Sequence, residues 1–110
     1  VYGTGLNMRE WIYVDDNCEG VMKAVLNGTA GSIYNLGSGD EKTNLELVKE
    51  ILSNMGKPLS LIEMVEDRKG HDFRYFLDSD ISYSELGWKP DTDFSKGIRE
   101  TIRHYESKSK

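Results

Sequence analysis

The sequence has few residues that form cross-links, metal sites or membrane anchors. Its 110 residues include one cysteine, Cys18, which excludes an internal disulfide and a cysteine-built zinc site. It has no apolar run long enough to span a bilayer and no charged-then-apolar leader. The net charge is -5, whereas nucleic acids and anionic membrane surfaces select basic faces. We therefore expect a cytoplasmic protein with no nucleic-acid or membrane partner and no metal site.

Motifs for dinucleotide binding and for common catalytic groups are also absent from the sequence. Residues 3–5 and 37–39 are short glycine pairs that lack the third glycine and the strand-to-helix context of a phosphate loop. None of Tyr13, Tyr34 and Tyr75 has a lysine four positions later, where it would lower the pKa of a phenol. We assign no catalytic residue and no cofactor-binding residue to this chain.

Hydrophobic periodicity predicts a small mixed α/β domain over residues 1–106, followed by a solvated tail over 107–110. The first predicted helix follows Asp15 and Asp16, which we expect to cap it, and it places Cys18 in the core. Three more helices are expected after a capping box at residues 43–46, over 81–86 and over 94–105. Four short strands are expected, over residues 9–14, 32–36, 60–65 and 73–77. These strands cannot form the large parallel sheet of a complete dinucleotide-binding domain.

The segment of residues 67–75, called the cationic loop below, is the most informative part of the chain. Four basic side chains lie around Gly70 in an otherwise acidic protein: Arg68, Lys69, His71 and Arg74. A guanidinium fork and imidazole N–H groups suit phosphate or pyrophosphate oxygens, and glycine lets the backbone approach closely. Alternatively, the cations are solvated surface charges and His71 pairs with Asp67 or Asp72. The residues alone leave both interpretations open.

Two further residues are candidates for the same ligand. Arg9 stands where a glycine-rich loop leads into a strand beside Trp11, so it is either a second phosphate ligand or an arginine stacked on an aromatic ring. Asn44 lies in the first turn of a helix, where backbone N–H groups and an amide can bind an anion or a sugar hydroxyl. Taken by itself, Asn44 is better explained as a simple polar residue in the first turn of a helix.

Several motifs in order along the chain resemble those of the dTDP-glucose 4,6-dehydratases, which belong to the extended short-chain dehydrogenase/reductase family. The first is Gly-Thr-Gly-Leu-Asn-Met-Arg-Glu-Trp-Ile-Tyr-Val-Asp-Asp at residues 3–16. Others are Tyr-Asn-Leu-Gly at 34–37, Glu-Lys-Thr-Asn-Leu at 41–45 and Glu-Leu-Gly-Trp-Lys-Pro at 85–90. The cationic loop, Asp-Arg-Lys-Gly-His-Asp-Phe-Arg-Tyr, is more like the dehydratases than like related epimerases and decarboxylases. Lys69 stands where the family usually has proline.

The resemblance implies a fold and a set of ligand-binding residues. The chain would be the carboxyl-terminal, substrate-binding part of an extended Rossmann-type enzyme, with the Rossmann core largely missing. Arg9 and Arg68 would hold the pyrophosphate of a nucleotide sugar, His71 would support phosphate or ribose, and Asn44 would hydrogen-bond the ligand. The rest of the stretch from Asp67 to His71, including Lys69 and Gly70, would line the same pocket.

The resemblance also implies an activity, conversion of dTDP-glucose to dTDP-4-keto-6-deoxyglucose and water with NAD as cofactor. In that family NAD and the catalytic residues belong to the upstream half, so we expect this chain to be inactive alone. The full-length enzyme would be a homodimer formed through that half. The alternatives are a UDP-sugar epimerase or decarboxylase, and a stand-alone nucleotide-binding or protein-interaction module.

Overall fold

The computed structural model describes residues 1–108 and contains four α-helices and a small sheet in that range. The chain runs through β1 (Met8–Glu10), α1 (Val14–Asn27), β2 (Glu41–Thr43), α2 (Asn44–Met55), a short 3-10 helix (Leu59–Leu61), α3 (Asp80–Leu86) and α4 (Phe94–Lys108). The expected mixed α/β class is confirmed. Helix α4 includes the first two residues of the segment expected to be a tail, and residues 109–110 lie outside the described residues. None of the described helices is long and apolar enough to cross a membrane.

Both ends of α2 and the end of α3 lie where local sequence signals place them. Helix α2 opens with a complete capping box, in which Thr43 Oγ1 accepts from Glu46 N–H at 3.0 Å and the Glu46 carboxylate accepts from Thr43 N–H at 3.3 Å. It ends at Gly56, which adopts a left-handed conformation with φ 65°. Helix α3 ends in the same way at Gly87, with φ 64°. The four predicted helices are therefore all present.

The strand predictions were largely wrong. The only ladder among the described residues is the antiparallel pair β1–β2, which aligns Met8 with Thr43 and Glu10 with Glu41. Residues 32–36 are not a strand, residues 60–65 contribute only Val65 to an isolated bridge, and residues 73–77 contribute only Arg74 to another. The strand predicted over residues 9–14 is observed only as β1, Met8–Glu10, and α1 already starts at Val14. The failed segments have strand-like side chains, but within residues 1–108 none of them makes the repeated backbone pairing of a ladder; residues 60–65 and 73–77 each make a single bridge.

A small core surrounds Trp88. This side chain is completely buried, and its Nε1–H donates to the Asp16 carbonyl of α1 at 2.9 Å. The Tyr83 ring of α3 lies 5.7 Å from the Trp88 ring, and a Cβ placed at Gly20 would come within 3.0 Å of it. The absence of a side chain at Gly20 therefore lets α1 approach Trp88 closely.

Helix α1 differs from its predicted packing in two ways. Asp15 and Asp16 lie inside the first turn and do not cap it; Asp16 is buried, and its Oδ2 accepts from Thr92 N–H at 3.0 Å. Cys18 is exposed and does not lie in a core. Val25 is 74% exposed, and most of the helix's apolar stripe is similarly open to solvent. The hydrophobic spacing predicted the helix correctly. It did not show that most of the apolar face would stay uncovered by the other described residues.

Candidate functional site

The cationic loop is attached to the first residues of the chain at both of its ends. Before the loop, Val65 N–H donates to the Val1 carbonyl at 2.8 Å, and the Val65 carbonyl accepts from Gly3 N–H at 2.9 Å. At its far end, Met8 N–H of β1 donates to the Phe73 carbonyl at 2.7 Å. The Met8 carbonyl in turn accepts from Tyr75 N–H at 3.3 Å. Residues 67–72 therefore lie between two backbone attachments, one to Val1 and Gly3 and the other to Met8 of β1.

Within the loop, Asp67 and His71 form a pair. The Asp67 carboxylate lies 2.8 Å from His71 Nδ1 and also accepts from Arg68 N–H at 2.9 Å. The His71 side chain is only 5% exposed, and the Tyr2 ring packs edge-on against it with 5.9 Å between centroids. Gly3 makes room for the pair, because a Cβ there would lie 2.9 Å from Asp67 Oδ2. Of the two pairings that the alternative interpretation offered for His71, the one with Asp67 occurs, and it closes the turn around Gly70.

Arg9 of β1 reaches across the sheet to this loop. Its Nη1 donates to the Met8 carbonyl at 2.7 Å and its Nη2 donates to the Asp72 carbonyl at 2.8 Å. The guanidinium lies over the Tyr75 ring, 4.7 Å from the ring centroid. Arg9 is therefore stacked on an aromatic ring, which is that of Tyr75 and not Trp11. Stacking leaves the positive charge without a carboxylate partner.

Arg68 is the second cation of this region. Neither Arg68 nor Lys69 has a side-chain hydrogen bond or ion pair within the described part of the chain. Asp72 raises the pKa of the Tyr75 hydroxyl, while the charges of Arg9 and Arg68 both lower it. Arg9 and Arg68 thus each lack a carboxylate partner within the described residues, and such cations favour an anionic ligand.

Arg74 does not join this group. Its Nε and Nη2 donate to the two Glu41 carboxylate oxygens of β2 at 2.5 and 2.8 Å, in the bidentate geometry of a strong ion pair. This pair lowers the pKa of Glu41 and raises the pKa of Arg74. Arg74 therefore fastens the end of the loop to β2 and is not available to a phosphate.

Asn44 approaches the loop indirectly. It is the first residue of α2, and its backbone N–H donates to the Asn7 carbonyl at 3.0 Å. The buried Asn7 side chain donates to the Asp72 carbonyl at 3.1 Å, so one residue joins the helix start to the loop. No direct hydrogen bond between Asn44 and the cationic loop occurs in residues 1–108. Sequence reasoning missed Asn7, because nothing local marks a contact with a residue 65 positions away.

The turn at residues 37–39 does not fit the phosphates of a dinucleotide. The Glu10 carboxylate of β1 fills it, accepting from Gly39 N–H at 2.6 Å. A Cβ at Gly37 would lie 2.5 Å from Glu10 Oε1, so this glycine serves the contact with Glu10. A phosphate entering the turn would meet a carboxylate, and like charges repel. Within the described residues there is also no group of three or more histidine, cysteine, aspartate or glutamate side chains that could hold a metal ion.

The family model described as GDP-mannose 4,6 dehydratase matches residues 1–101 of this chain. The chain belongs to this family, within the extended short-chain dehydrogenases/reductases of Rossmann fold.

Two dTDP-glucose 4,6-dehydratases and an epimerase are among the proteins similar to this chain. A dTDP-glucose 4,6-dehydratase from Actinoplanes sp. is 48% identical over 107 residues, which cover 97% of this chain and 33% of the relative. The crystal structure of a dTDP-glucose 4,6-dehydratase from Streptomyces venezuelae with NAD and TYD bound superposes with a TM-score of 0.91 at 43% identity, covering 96% of this chain and 33% of that one. A UDP-glucose 4-epimerase from Thermotoga maritima, solved with UDP-glucose, gives 0.88 at 26% identity and covers 100% of this chain and 35% of its own. This chain thus spans about a third of the length of its relatives.

Proposed function

We propose that this chain is the nucleotide-sugar-binding part of an NAD-dependent dTDP-glucose 4,6-dehydratase, a lyase that forms dTDP-4-keto-6-deoxyglucose and water. The observation that carries the proposal is a pair of arginines without a carboxylate partner in the described residues: Arg9, stacked on the Tyr75 ring, and Arg68, in the loop whose far end is bonded to Met8 of β1. The identity of 48% to the Actinoplanes dehydratase supports the particular reaction.

Each residue of the site has a role in this proposal. Arg9 and Arg68 bind the diphosphate, since each keeps a positive charge that no carboxylate neutralises in the described residues. Gly70 adopts a left-handed conformation with φ 71°, and a Cβ placed there would meet no atom within 4 Å, so the backbone at Gly70 is open to a ligand. Lys69 adds a solvated charge beside it.

Asp67 and His71 have a supporting role in the proposal. The His71 side chain is nearly buried and its Nδ1 is held by Asp67, so it fixes the shape of the turn and offers Nε2 to the ligand. Asn44 contributes through its side-chain amide at the start of α2, since the backbone N–H groups of residues 43–46 already have acceptors. These contacts are remote from the reacting sugar carbons. Binding of that kind orients the sugar and lowers the barrier to reaction elsewhere in the enzyme.

NAD is bound in this proposal by residues outside the chain described here. The Glu10 carboxylate fills the turn at residues 37–39, and the turn at residues 3–5 packs against Asp67 and Leu45. Neither turn leaves room for a phosphate. NAD, when bound by the rest of the enzyme, supplies hydride transfer to and from the sugar.

A UDP-sugar epimerase is the second candidate, because the Thermotoga maritima epimerase shares the fold with a TM-score of 0.88. Its identity of 26% is well below the 43% of the Streptomyces venezuelae dehydratase, so sequence favours the dehydratase. A non-catalytic nucleotide-binding module has no observation of its own in its favour.

The complete polypeptide is the protein in which to test this proposal. Incubated with NAD and either dTDP-glucose or UDP-glucose, it is expected to convert only dTDP-glucose, with the 4-keto-6-deoxy product identified by NMR. A galactose epimer from UDP-glucose would support the epimerase instead, and binding without turnover would support the module. The isolated 110-residue chain is expected to show neither turnover nor NAD binding by calorimetry. Homodimer formation and a cytoplasmic location stay predictions.

A further inference from the structure

We propose that Tyr75, held by Asp72, is a positioning residue that pre-orients the Arg9 guanidinium for the diphosphate of the ligand. The inference rests on the proposed function and extends it to residues outside the predicted site. Asp72 fixes both partners, because its carboxylate accepts from the Tyr75 hydroxyl while its carbonyl accepts from Arg9 Nη2 at 2.8 Å. Arg9 then lies 4.7 Å above the ring. The three residues form a closed set of contacts.

The hydrogen bonds leave Arg9 with donors for a ligand. A guanidinium has five N–H groups in a fixed plane. One on Nη1 is used by the Met8 carbonyl and one on Nη2 by the Asp72 carbonyl. The ring of Tyr75 supports one face of the plane, so the guanidinium is held in place while the remaining N–H groups are unused by the described residues. An arginine fixed before the ligand arrives loses less conformational freedom on binding.

The contrast with Arg74 supports the assignment. Arg74 donates to both oxygens of the Glu41 carboxylate and is thereby neutralised. Arg9 is held by carbonyl groups and by an aromatic face, which attract a cation without carrying a negative charge. The nearby Asp72 carboxylate contacts the Tyr75 hydroxyl, not the guanidinium. The arrangement therefore fixes the position of Arg9 and preserves its charge for an anion.

The test uses the complete polypeptide and titrates it with thymidine diphosphate. Tyr75→Leu removes the ring face and is expected to raise the Kd about tenfold. Tyr75→Phe keeps the face and loses only the hydroxyl contact, so it should rescue most of the affinity. Phe73→Leu is the matched control, because Phe73 is a 62% exposed aromatic in the same loop. It should leave the Kd unchanged.

A double variant separates positioning from a merely structural role. If Tyr75 acts through Arg9, adding Tyr75→Leu to Arg9→Ala weakens binding no further than Arg9→Ala alone. Independent, additive losses would overturn the proposal. An unchanged Kd in Tyr75→Leu, together with weaker binding in Arg9→Ala, would also overturn this proposal. That result would leave the proposed function intact. An unchanged Kd in Arg9→Ala would overturn both.

The thermal midpoint of each variant is measured beside its Kd. Should Tyr75→Leu not yield folded protein, Tyr75→Met replaces it, because this change also removes the ring face under Arg9 while filling more of the ring's volume. A raised Kd in Tyr75→Met that disappears in the Arg9→Ala background supports the proposal. A Kd equal to that of the unaltered protein contradicts it.

Discussion

The cationic loop is held by hydrogen bonds and ion pairs, whereas the region around Trp88 is held by apolar packing. In the loop, Asp67, Asp72 and Arg74 each have a named polar partner, and Phe73 is 62% exposed. Trp88, by contrast, is fully buried. Polar contacts place donors at fixed positions while leaving the surface accessible to a ligand. Packing around Trp88 supplies stability but no accessible charge.

The packed region is small for a chain of this length. The radius of gyration is 16.3 Å, compared with about 13 Å expected for a compact domain of 100 residues. The apolar residues of α1, such as Val25 at 74% and Leu26 at 72% exposure, contribute little to the core. Asp67, His71 and Arg9, in contrast, each have polar partners within the described residues. The frame of the candidate site is thus more complete than the hydrophobic core.

The largest expected effect comes from Trp88→Ala. Removing a fully buried tryptophan leaves a cavity against Gly20 and Tyr83, so local stability should fall by about 3–5 kcal/mol. Hydrogen exchange of the complete polypeptide should accelerate in α1 and α3. Trp88→Phe, which keeps a ring but loses the bond to the Asp16 carbonyl, should cost less. Unchanged exchange in Trp88→Ala would mean that this packing does not stabilise the two helices.

A smaller effect that separates the two regions is expected from Gly3→Ala. Gly3 has φ 56°, and a Cβ there would lie 2.9 Å from Asp67 Oδ2, so the substitution should displace Asp67 from His71. The matched control is Gly56→Ala, where φ is 65° but no atom lies within 4 Å. Each change should cost roughly 1 kcal/mol of backbone strain, measured by the shift in thermal midpoint. Only Gly3→Ala should also weaken thymidine diphosphate binding. Equal Kd values in Gly3→Ala and the unaltered protein would refute a role of the Asp67–His71 pair in shaping the binding site.

The smallest effect is a pH dependence at Glu41. The hydrogen bonds from Arg74 lower the pKa of this carboxyl in the folded chain, so the ion pair stabilises the fold at neutral pH. That contribution is lost as the pH falls below about 4.5 through the lowered pKa. In Glu41→Gln the thermal midpoint should therefore be lower than in the unaltered protein at pH 7 and should converge with it in acid. Glu66→Gln, at an exposed glutamate, should show no such convergence.

The sequence was sufficient where structure depends on neighbours in the chain. The capping box at Thr43 and the glycine stops at Gly56 and Gly87 placed three helix ends correctly. The prediction of strands over residues 32–36 and 73–77 was wrong, because a strand needs a partner that apolar alternation does not specify.

The candidate site was likewise predictable only in the features that depend on neighbouring residues. The clustering of cations between Arg68 and Arg74 was visible in the sequence, but the choice of partners was not. That Arg74 binds Glu41, 33 residues away, and that Asn7 binds Asp72, 65 residues away, required the folded chain. Whether a cation is solvated, paired or stacked depends on such distant contacts, and these decide which charges a ligand meets.

The central claim is that Arg68, left unpaired by this arrangement, binds the ligand diphosphate. Calorimetric titration of thymidine diphosphate into the complete polypeptide and into Arg68→Ala tests it most directly, with Arg103→Ala as a control at an exposed arginine of α4. We predict that Arg68→Ala weakens binding by about 1.5–3 kcal/mol, the value of a hydrogen bond to a charged group, with no change in thermal midpoint. Arg103→Ala should bind as the unaltered protein does. Equal affinities in all three proteins would contradict the account.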